Sequence, residues 1–284
     1  MKTPGFKISR RRFLGGVSVA AVGTLSYARF FEAERLQVSH HAVAVLPSGS
    51  EPLKLLHLSD LHASRVVSLD YINHAISRAL EWKPDVICVT GDFITQRFSA
   101  AEDYTRILRR LSAAAPCFAT LGNHDGGRWA REEGGGYHDV EWVTKLLRAS
   151  GITLLHNTAT SLRLSGREIQ FVGVGDVWAE SIESETAFRS ASTALPTILL
   201  SHNPDSKDDV ARHHWELMLS GHTHGGQLRV PWIGATPFAP VRDKRFVAGL
   251  HRWNDRWIHT TKGVGSVYGV RINCPPEVSF LTLT

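Results

Sequence analysis

The chain has 284 residues, of which 43% are hydrophobic and 21% are charged. These values are ordinary for a globular protein with one large core, and they exclude a disordered chain and a membrane bundle. The formal net charge of +5 belongs to the N-terminus, because residues 1–28 contain five basic residues and no acidic residue. The rest of the chain carries 27 basic and 27 acidic residues, so we expect no nucleic-acid partner.

Residues 1–28 have the composition of an export signal, a basic segment followed by a short apolar stretch that contains three glycines. The segment Ser9-Arg10-Arg11-Arg12-Phe13-Leu14 resembles a twin-arginine signal. We therefore predict that the twin-arginine machinery exports the protein to the periplasm or the outer face of the cytoplasmic membrane. The alternative is that residues 1–28 stay attached as a membrane anchor, since Ser26-Tyr27-Ala28 is only a fair cleavage site.

After this leader, we predict a linker at residues 29–35 and one catalytic domain at residues 36–284. A weak strand pattern at Leu36–Leu46 predicts an edge strand. Strands and helices then alternate, which is typical of an α/β sheet. The predicted strands are 53–58, 86–90 and 117–121, and the predicted helices are 69–82, 101–114 and 140–148.

The second half of the chain turns towards β structure. Its predicted strands are 153–155, 169–174, 198–200, 217–219, 245–248, 257–261 and 278–284. The two halves together fit two packed sheets that are flanked by helices.

Seven side chains of metal-binding types directly follow five of these predicted strands. They are Asp60, His62, Asp92, Asn123, His202, His222 and His224. Residues i and i+2 of an extended segment point the same way, so Asp60 and His62 are expected to face one cleft. Ligands of open α/β sheets gather at the carboxyl ends of the strands, where these residues lie. The pattern predicts a site for two metal ions.

Two carboxylates, one amide and four imidazoles suit Mn, Fe, Co, Ni or Zn better than Ca or Mg. Two divalent ions and two carboxylates leave a charge of +2, which one hydroxide and one phosphodiester monoanion neutralise. We therefore predict a phosphodiesterase in which a metal-bridging hydroxide attacks phosphorus. His124 is expected to assist the leaving group, with Asp125 holding its ring.

The other histidines and the cysteines carry no predicted chemistry. His57, inside the first α/β strand, and His41 and His259 are interpreted as structural residues. Three scattered cysteines form no disulfide framework, and Cys88 and Cys117 are expected in the core.

Asp-x-His, Gly-Asp, Gly-Asn-His-Asp, a single His and Gly-His-x-His occur in an order that resembles the calcineurin-like metallophosphoesterase family. The resemblance implies an α+β or α/β protein with a four-layer αββα sandwich, in which two mixed β-sheets are flanked by helices. It also implies that His124 is the catalytic histidine. One metal would be held by Asp60, His62, Asp92 and His224, and the other by Asp92, Asn123, His202 and His222.

The segments Ser201–Asp205, Gly221–Arg229 and Asp243–Arg245, together with the leader, are similar to the YaeI-like bacterial phosphodiesterases, whose broader YkuE-like relatives include enzymes acting on UDP-diacylglucosamine. The substrate is therefore predicted to be a small phosphodiester or a lipid-linked pyrophosphate. A pyrophosphatase of the UDP-2,3-diacylglucosamine type in lipid A metabolism is the first alternative function. A catalytically inactive metal-binding scaffold is the second, and the complete ligand set argues against it.

Two loops near the motifs have open interpretations. Residues 126–139 fit either a mobile lid or a plain surface loop. Residues 230–240, with Trp232, Ile233 and Phe238, fit either a lipid-facing surface or buried turns.

Overall fold

The computed structural model of the chain describes residues 9–230, 234, 236 and 239–284. Residues 1–8 of the leader and the predicted lipid-facing side chains Trp232, Ile233 and Phe238 lie outside the described residues. The helices are α1 (Arg10–Phe30), α2 (Leu69–Leu80), α3 (Ala101–Ala114), α4 (Arg128–Glu132), α5 (Glu141–Ala149) and α6 (Ser184–Phe188).

Twelve strands of the described chain form two mixed sheets of six strands each. The first sheet has the order β1-β12-β2-β3-β4-β5, with β1 (Gln37–Val43), β12 (Glu277–Leu283), β2 (Leu53–Leu58), β3 (Val86–Thr90), β4 (Cys117–Thr120) and β5 (Thr153–Leu154). The second sheet has the order β10-β11-β9-β8-β7-β6, with β10 (Gly249–Trp253), β11 (Arg256–Thr260), β9 (Leu217–Ser220), β8 (Thr197–Leu200), β7 (Arg167–Gly173) and β6 (Thr158–Leu164). The predicted edge strand is confirmed, because β1 borders the first sheet.

The two sheets pack face to face through apolar side chains that alternate along each strand. Phe118 of β4 stacks on Phe171 of β7 with ring centroids 4.5 Å apart. Leu55 of β2 faces this inner core, whereas its neighbour Leu56 faces the opposite side of the sheet, where helices pack. Burial on both faces explains why β2, β3 and β4 are continuous apolar runs rather than alternating ones.

Helices α2, α3 and α5 cover the outer face of the first sheet. Helix α2 begins where the Ser68 hydroxyl accepts a hydrogen bond from the Tyr71 amide, at 3.1 Å. Its buried residues recur with helical spacing at 72, 75, 76 and 79. On the second sheet, the outer face is covered by α6, by single turns and by the buried Trp215 and Phe246. The predicted architecture of two mixed sheets flanked by helices is confirmed.

Some predicted elements differ from the observed ones. The predicted strand at 245–248 is wrong, because Lys244–Phe246 forms a 3-10 turn and the strand starts at Gly249. The Asp243 carboxylate accepts from the Arg245 amide at 3.0 Å and so stabilises a turn instead of an extended segment. Strand β6 and helices α4 and α6 were not predicted, since their patterns are short and polar.

Helix α1 covers most of the residues predicted as a leader. The segment predicted as a linker, residues 29–35, contains the last residues of α1 and a 3-10 turn at Glu32–Glu34. The segment Arg10–Glu34 is long and apolar enough to cross a membrane, and only 6% of its most apolar stretch is buried. An apolar helix near the N-terminus fits either a signal sequence or a membrane anchor.

Candidate active site

The loops that follow β2, β3, β4, β8 and β9 meet at one edge between the two sheets. They bring together all seven predicted metal ligands, and each of these residues is buried: Asp60, His62, Asp92, Asn123, His202, His222 and His224. Backbone hydrogen bonds join neighbouring loops, since the His62 amide donates to the Asp92 carbonyl at 2.9 Å. The sheet register therefore sets the distances between the motifs.

One half of the cluster is built from Asp60, His62 and His224. The Nε2 atoms of His62 and His224 are 3.1 Å apart. Oδ1 of Asp60 lies 3.8 Å from the first of these nitrogens and 3.5 Å from the second. The side chains of these three residues thus offer ligand atoms to a single point, and Oδ2 of Asp92 joins them at 3.4 Å from His62 Nε2.

The other half lies on the far side of Asp92. His202 Nε2 lies 3.2 Å from Asp92 Oδ2. His222 Nδ1 lies 2.9 Å from Asn123 Oδ1. Asp92 therefore stands between the two halves, where a carboxylate can serve both. The division of these residues between two metal ions stays a prediction.

Five of the seven residues have left-handed backbone conformations that non-glycine residues rarely adopt. Their φ values lie between 49° and 67°, and they are Asp60, His62, Asp92, His222 and His224. Such strain costs on the order of 1–3 kcal/mol per residue and persists only where the surroundings fix it, most often at functional sites. The polypeptide is held in an unfavourable shape that aims these side chains inward.

Two glycines allow the ligand loops to touch. A Cβ atom on Gly122 would lie 2.2 Å from Oδ1 of Asp92, and one on Gly221 would lie 2.2 Å from Oδ2 of Asp60. Any side chain at these positions would displace a carboxylate. Glycine before Asn123 and His222 is thus a steric requirement of the cluster.

Burial sets the protonation of the cluster. Burial lowers the pKa of His62 to about 3, and it also lowers the pKa values of His222 and His224, so these imidazoles are neutral, the form that binds metals. Burial raises the pKa of Asp60 to about 6. Burial also opposes the charged form of His202, but the Asp92 and Asp60 carboxylates outweigh it and raise its pKa. A proton on His202 thus balances carboxylate charge that a bound cation would otherwise balance.

The donor set fits divalent metal ions. His222 Nε2 is buried and has no hydrogen-bond partner among the described residues, and His202 Nε2 is buried with only the Asp92 carboxylate, at 3.2 Å, beside it in the same part of the chain. An imidazole nitrogen that is withdrawn from water without a partner costs free energy, and a metal ion would satisfy it. The neutral imidazoles, the two carboxylates and the Asn123 amide together meet the requirements of such a site.

His124 lies beside the cluster, and the structure corrects its predicted partner. Its Nδ1 bonds to the carbonyl oxygen of Thr95 at 2.8 Å. The Asp125 carboxylate instead accepts hydrogen bonds from backbone amides, including those of Asp92 at 2.8 Å and Gly122 at 2.9 Å. Asp125 faces these amides because they are the nearest buried donors, so it holds the ligand loops together and does not hold the His124 ring.

Arg271 was missed by the sequence analysis. Its fully buried guanidinium group lies 3.3 Å from His224 Nδ1 and donates to several carbonyl groups of the surrounding loops. These carbonyls belong to Lys262, Gly263, Gly265, Cys274 and His224. An arginine outside any motif gives no signal in one sequence, because only the fold brings it to the site.

A cavity of about 690 Å³ opens in front of the cluster. Its walls include Trp129 of α4, Trp178 and Tyr268. Trp129 packs edge-on against the His124 ring at 4.6 Å, and Trp178 packs against the His222 ring at 4.3 Å. The predicted loop at 126–139 therefore supplies a wall of the cavity through α4.

The structural histidines form a separate buried group. His57 Nδ1 lies 2.9 Å from His259 Nδ1, and His57 Nε2 bonds to the Thr90 hydroxyl at 2.8 Å. The ring of His41 is tilted against the ring of His259, with centroids 4.8 Å apart. Glu277 lies beside them and pairs with Lys262 at 3.0 Å. Because Lys262 already balances the charge of Glu277, we interpret these histidines as structural residues that pack between the sheets.

A buried cluster of His and Asp side chains at the strand ends has the ligand types with which metal-dependent hydrolases hold their ions. The chain belongs to the calcineurin-like phosphoesterase family, whose model matches residues 53–226. It is a metal-dependent phosphoric ester hydrolase.

Three curated relatives span most of the chain. It is 42% identical over 282 residues to phosphodiesterase YaeI of Escherichia coli, which covers 97% of this chain and 99% of the relative. It is 29% identical to the uncharacterized metallophosphoesterase YkuE of Bacillus subtilis, with 98% of each chain covered. It is 24% identical to UDP-2,3-diacylglucosamine pyrophosphatase LpxG of Chlamydia trachomatis, with 81% of this chain and 83% of the relative covered. The resemblance to YaeI-like and YkuE-like proteins is confirmed.

Proposed function

We propose that the protein is a phosphodiesterase that uses two divalent cations. The observation that carries the proposal is the buried Asp92 carboxylate, whose Oδ2 lies 3.4 Å from Nε2 of His62 and 3.2 Å from Nε2 of His202. The ligands would be Asp60, His62, Asp92 and His224 for one ion, and Asp92, Asn123, His202 and His222 for the other. When bound, the ions supply Lewis acidity, which makes water a nucleophile at neutral pH and neutralises phosphate charge. The 42% identity to a phosphodiesterase supports diesters as substrates.

The residues of the chain orient the reaction. The carbonyl of Thr95 can only accept a hydrogen bond, so Nδ1 of His124 carries a proton. Nε2 is then the atom of His124 that exchanges a proton at the cavity, and the protonated ring gives this proton to the departing oxygen. Trp129 and Trp178 line the cavity and would shield one side of a bound phosphate from water, which would strengthen its interactions with nearby charges.

The first test measures hydrolysis of bis(p-nitrophenyl) phosphate, and of a diester with an alkyl leaving group, by the full-length, metal-loaded protein. We expect Asp92→Asn to lose bound metal and nearly all activity. We expect His124→Ala to keep its metal and to lose roughly 10²–10⁴-fold in kcat for alkyl leaving groups. The loss should be smaller for p-nitrophenolate, which departs without a proton. If both variants retained the full rate, the assignment of the cluster would be wrong.

The second test addresses the substrate. A phosphodiester, a phosphomonoester and a UDP-diacyl sugar are compared with Mn, Co, Ni and Zn in turn. We expect the diester to have the highest kcat/KM. Preference for the UDP-diacyl sugar would support the pyrophosphatase alternative, which the LpxG relative favours, and no turnover of any ester with any metal would support the scaffold.

We also propose that the chain is exported by the twin-arginine machinery, on the basis of the Ser9–Leu14 segment. Replacement of Arg10 and Arg11 by lysine keeps the positive charge but removes the paired arginines. We expect this variant to stay in the cytoplasmic fraction, with the wild-type chain outside it. Equal distribution of the two proteins would contradict the export route.

A further inference from the structure

The end of α1 is packed into the catalytic domain. Ala28 is fully buried, and its carbonyl oxygen accepts a hydrogen bond from the Arg271 amide at 3.1 Å. The side chain of Arg29 lies against Gly269, where a Cβ would be 3.3 Å from the guanidinium. The C-terminal end of α1, which we call its root, is therefore fixed to the loop that carries Arg271. The side chain of Arg271 in turn contacts His224, one of the predicted metal ligands.

This packing bears on the predicted cleavage site Ser26-Tyr27-Ala28, which lies within α1. Proteases cut exposed, flexible segments, so a helical segment whose last residue, Ala28, is buried must first open locally. Cleavage after Ala28 would break the helix at its buried contact with the domain. The junction therefore favours a helix that remains attached.

The rest of α1 needs an apolar environment. Leu14, Val19 and Val22 are exposed by 62%, 74% and 65%. Residues 13–27, between Arg12 and the buried Ala28, span about 22 Å at 1.5 Å per residue, so they cross the roughly 30 Å hydrocarbon core of a bilayer only where the bilayer thins locally and Arg12 extends its side chain to the surface. Basic residues at its start, Arg10 to Arg12, favour a cytoplasmic N-terminus and place the domain on the opposite side.

The cavity mouth lies next to the root of α1. Val267, Tyr268 and Val270 line the cavity and belong to the same loop as Arg271. Tyr268 is 76% exposed, and Phe30 at the end of α1 is 73% exposed. An exposed aromatic residue on each side of this junction is typical of protein that touches the membrane interface, where aromatic rings are favoured.

We propose that α1 is a retained membrane anchor and that the catalytic cavity opens at the bilayer surface onto amphipathic phosphodiesters of the leaflet. This inference rests on the proposed phosphodiesterase function. The phosphate would reach the His and Asp cluster while the apolar part of the substrate stays against Tyr268 and its valine neighbours. Water adds across one P–O bond, its oxygen bonds to phosphorus, and the departing oxygen takes a proton, so the products are a phosphomonoester and an alcohol.

The test uses the full-length protein in vesicles of phosphatidylethanolamine and phosphatidylglycerol. Two diesters with one leaving group are compared, p-nitrophenyl methyl phosphate and p-nitrophenyl hexadecyl phosphate. We expect kcat/KM to be at least about tenfold higher for the hexadecyl ester, since its chain is held beside the mouth. We expect Phe30→Glu to remove this preference while the methyl ester is cleaved within about twofold of the wild-type rate.

The control variant is Ala194→Glu, an exposed position before β8 at the end of the sheet opposite to the cluster. It should leave both rates unchanged. Equal rates for the two esters in the wild type, or a mature chain whose measured mass lacks residues 1–28, would overturn the inference. If neither ester is cleaved, the proposed function fails. The retained anchor is then tested separately: a mass that includes residues 1–28 and flotation of the protein with the vesicles would support it, and the absence of either would contradict it.

Discussion

Replacement of Arg271 by methionine tests whether this buried arginine stabilises the loops around the site. The side chain is fully buried, and three of the five carbonyl groups to which it donates lie at 2.5 to 3.1 Å, those of Lys262, Gly265 and Cys274. Methionine has similar length but no donor, so it would leave these acceptors unsatisfied. Each buried unsatisfied group costs about 1–3 kcal/mol.

Three such groups give a loss of at least about 3 kcal/mol, which is a large part of a typical stability of about 5–15 kcal/mol. For a domain of this size, the midpoint of thermal unfolding should fall by roughly 6–12 °C. Metal affinity should also fall, because Arg271 contacts the ring of His224. The free energy of unfolding is measured by urea titration, with circular dichroism as the readout, and bound metal is measured by elemental analysis.

The matched control is Arg245→Met, because the Arg245 side chain is 70% exposed and pairs only with Asp243 among the described residues. Its effect should stay within about 0.5 kcal/mol. A free energy of unfolding for Arg271→Met that equals the control would refute the assigned role of these hydrogen bonds.

Three further predictions concern the same domain. Gly221→Ala places a Cβ 2.2 Å from a carboxylate oxygen of Asp60, so kcat/KM for a diester should fall about 100-fold, whereas Gly23→Ala, with no atom within 4 Å, should not change it. Asp125 accepts hydrogen bonds from four backbone amides, and Asp125→Asn would put a donor group in place of one of its oxygens. The free energy of unfolding should therefore fall by about 1–3 kcal/mol. An unchanged urea midpoint would contradict this. Burial raises the pKa of all three cysteine thiols, so a disulfide reagent at pH 8 should label them only after unfolding, and rapid labelling of the native protein would count against their burial.

Most of the first sheet could be predicted from the sequence. The apolar runs of β2, β3 and β4 and the helical periodicity of α2 are local patterns, because each of these elements buries a whole face or stripe. Strand β6 was missed, since an edge strand with one exposed face carries little apolar signal. The 3-10 turn at Lys244–Phe246 was missed because an Asp243 side-chain hydrogen bond outweighs the weak strand preference there.

The sequence by itself determined which residues meet in the buried cluster at the strand ends, since residue types and their spacing after strands form short motifs. It could not determine what surrounds them. The partner of His124 is a carbonyl 29 positions away in the chain, and the guanidinium beside His224 comes from 47 positions away. The contact of Ala28 with Arg271 joins the N-terminal helix to the site across most of the chain. Only the tertiary structure decides such pairs, because packing of the two sheets and burial of polar groups select partners without regard to their separation in sequence.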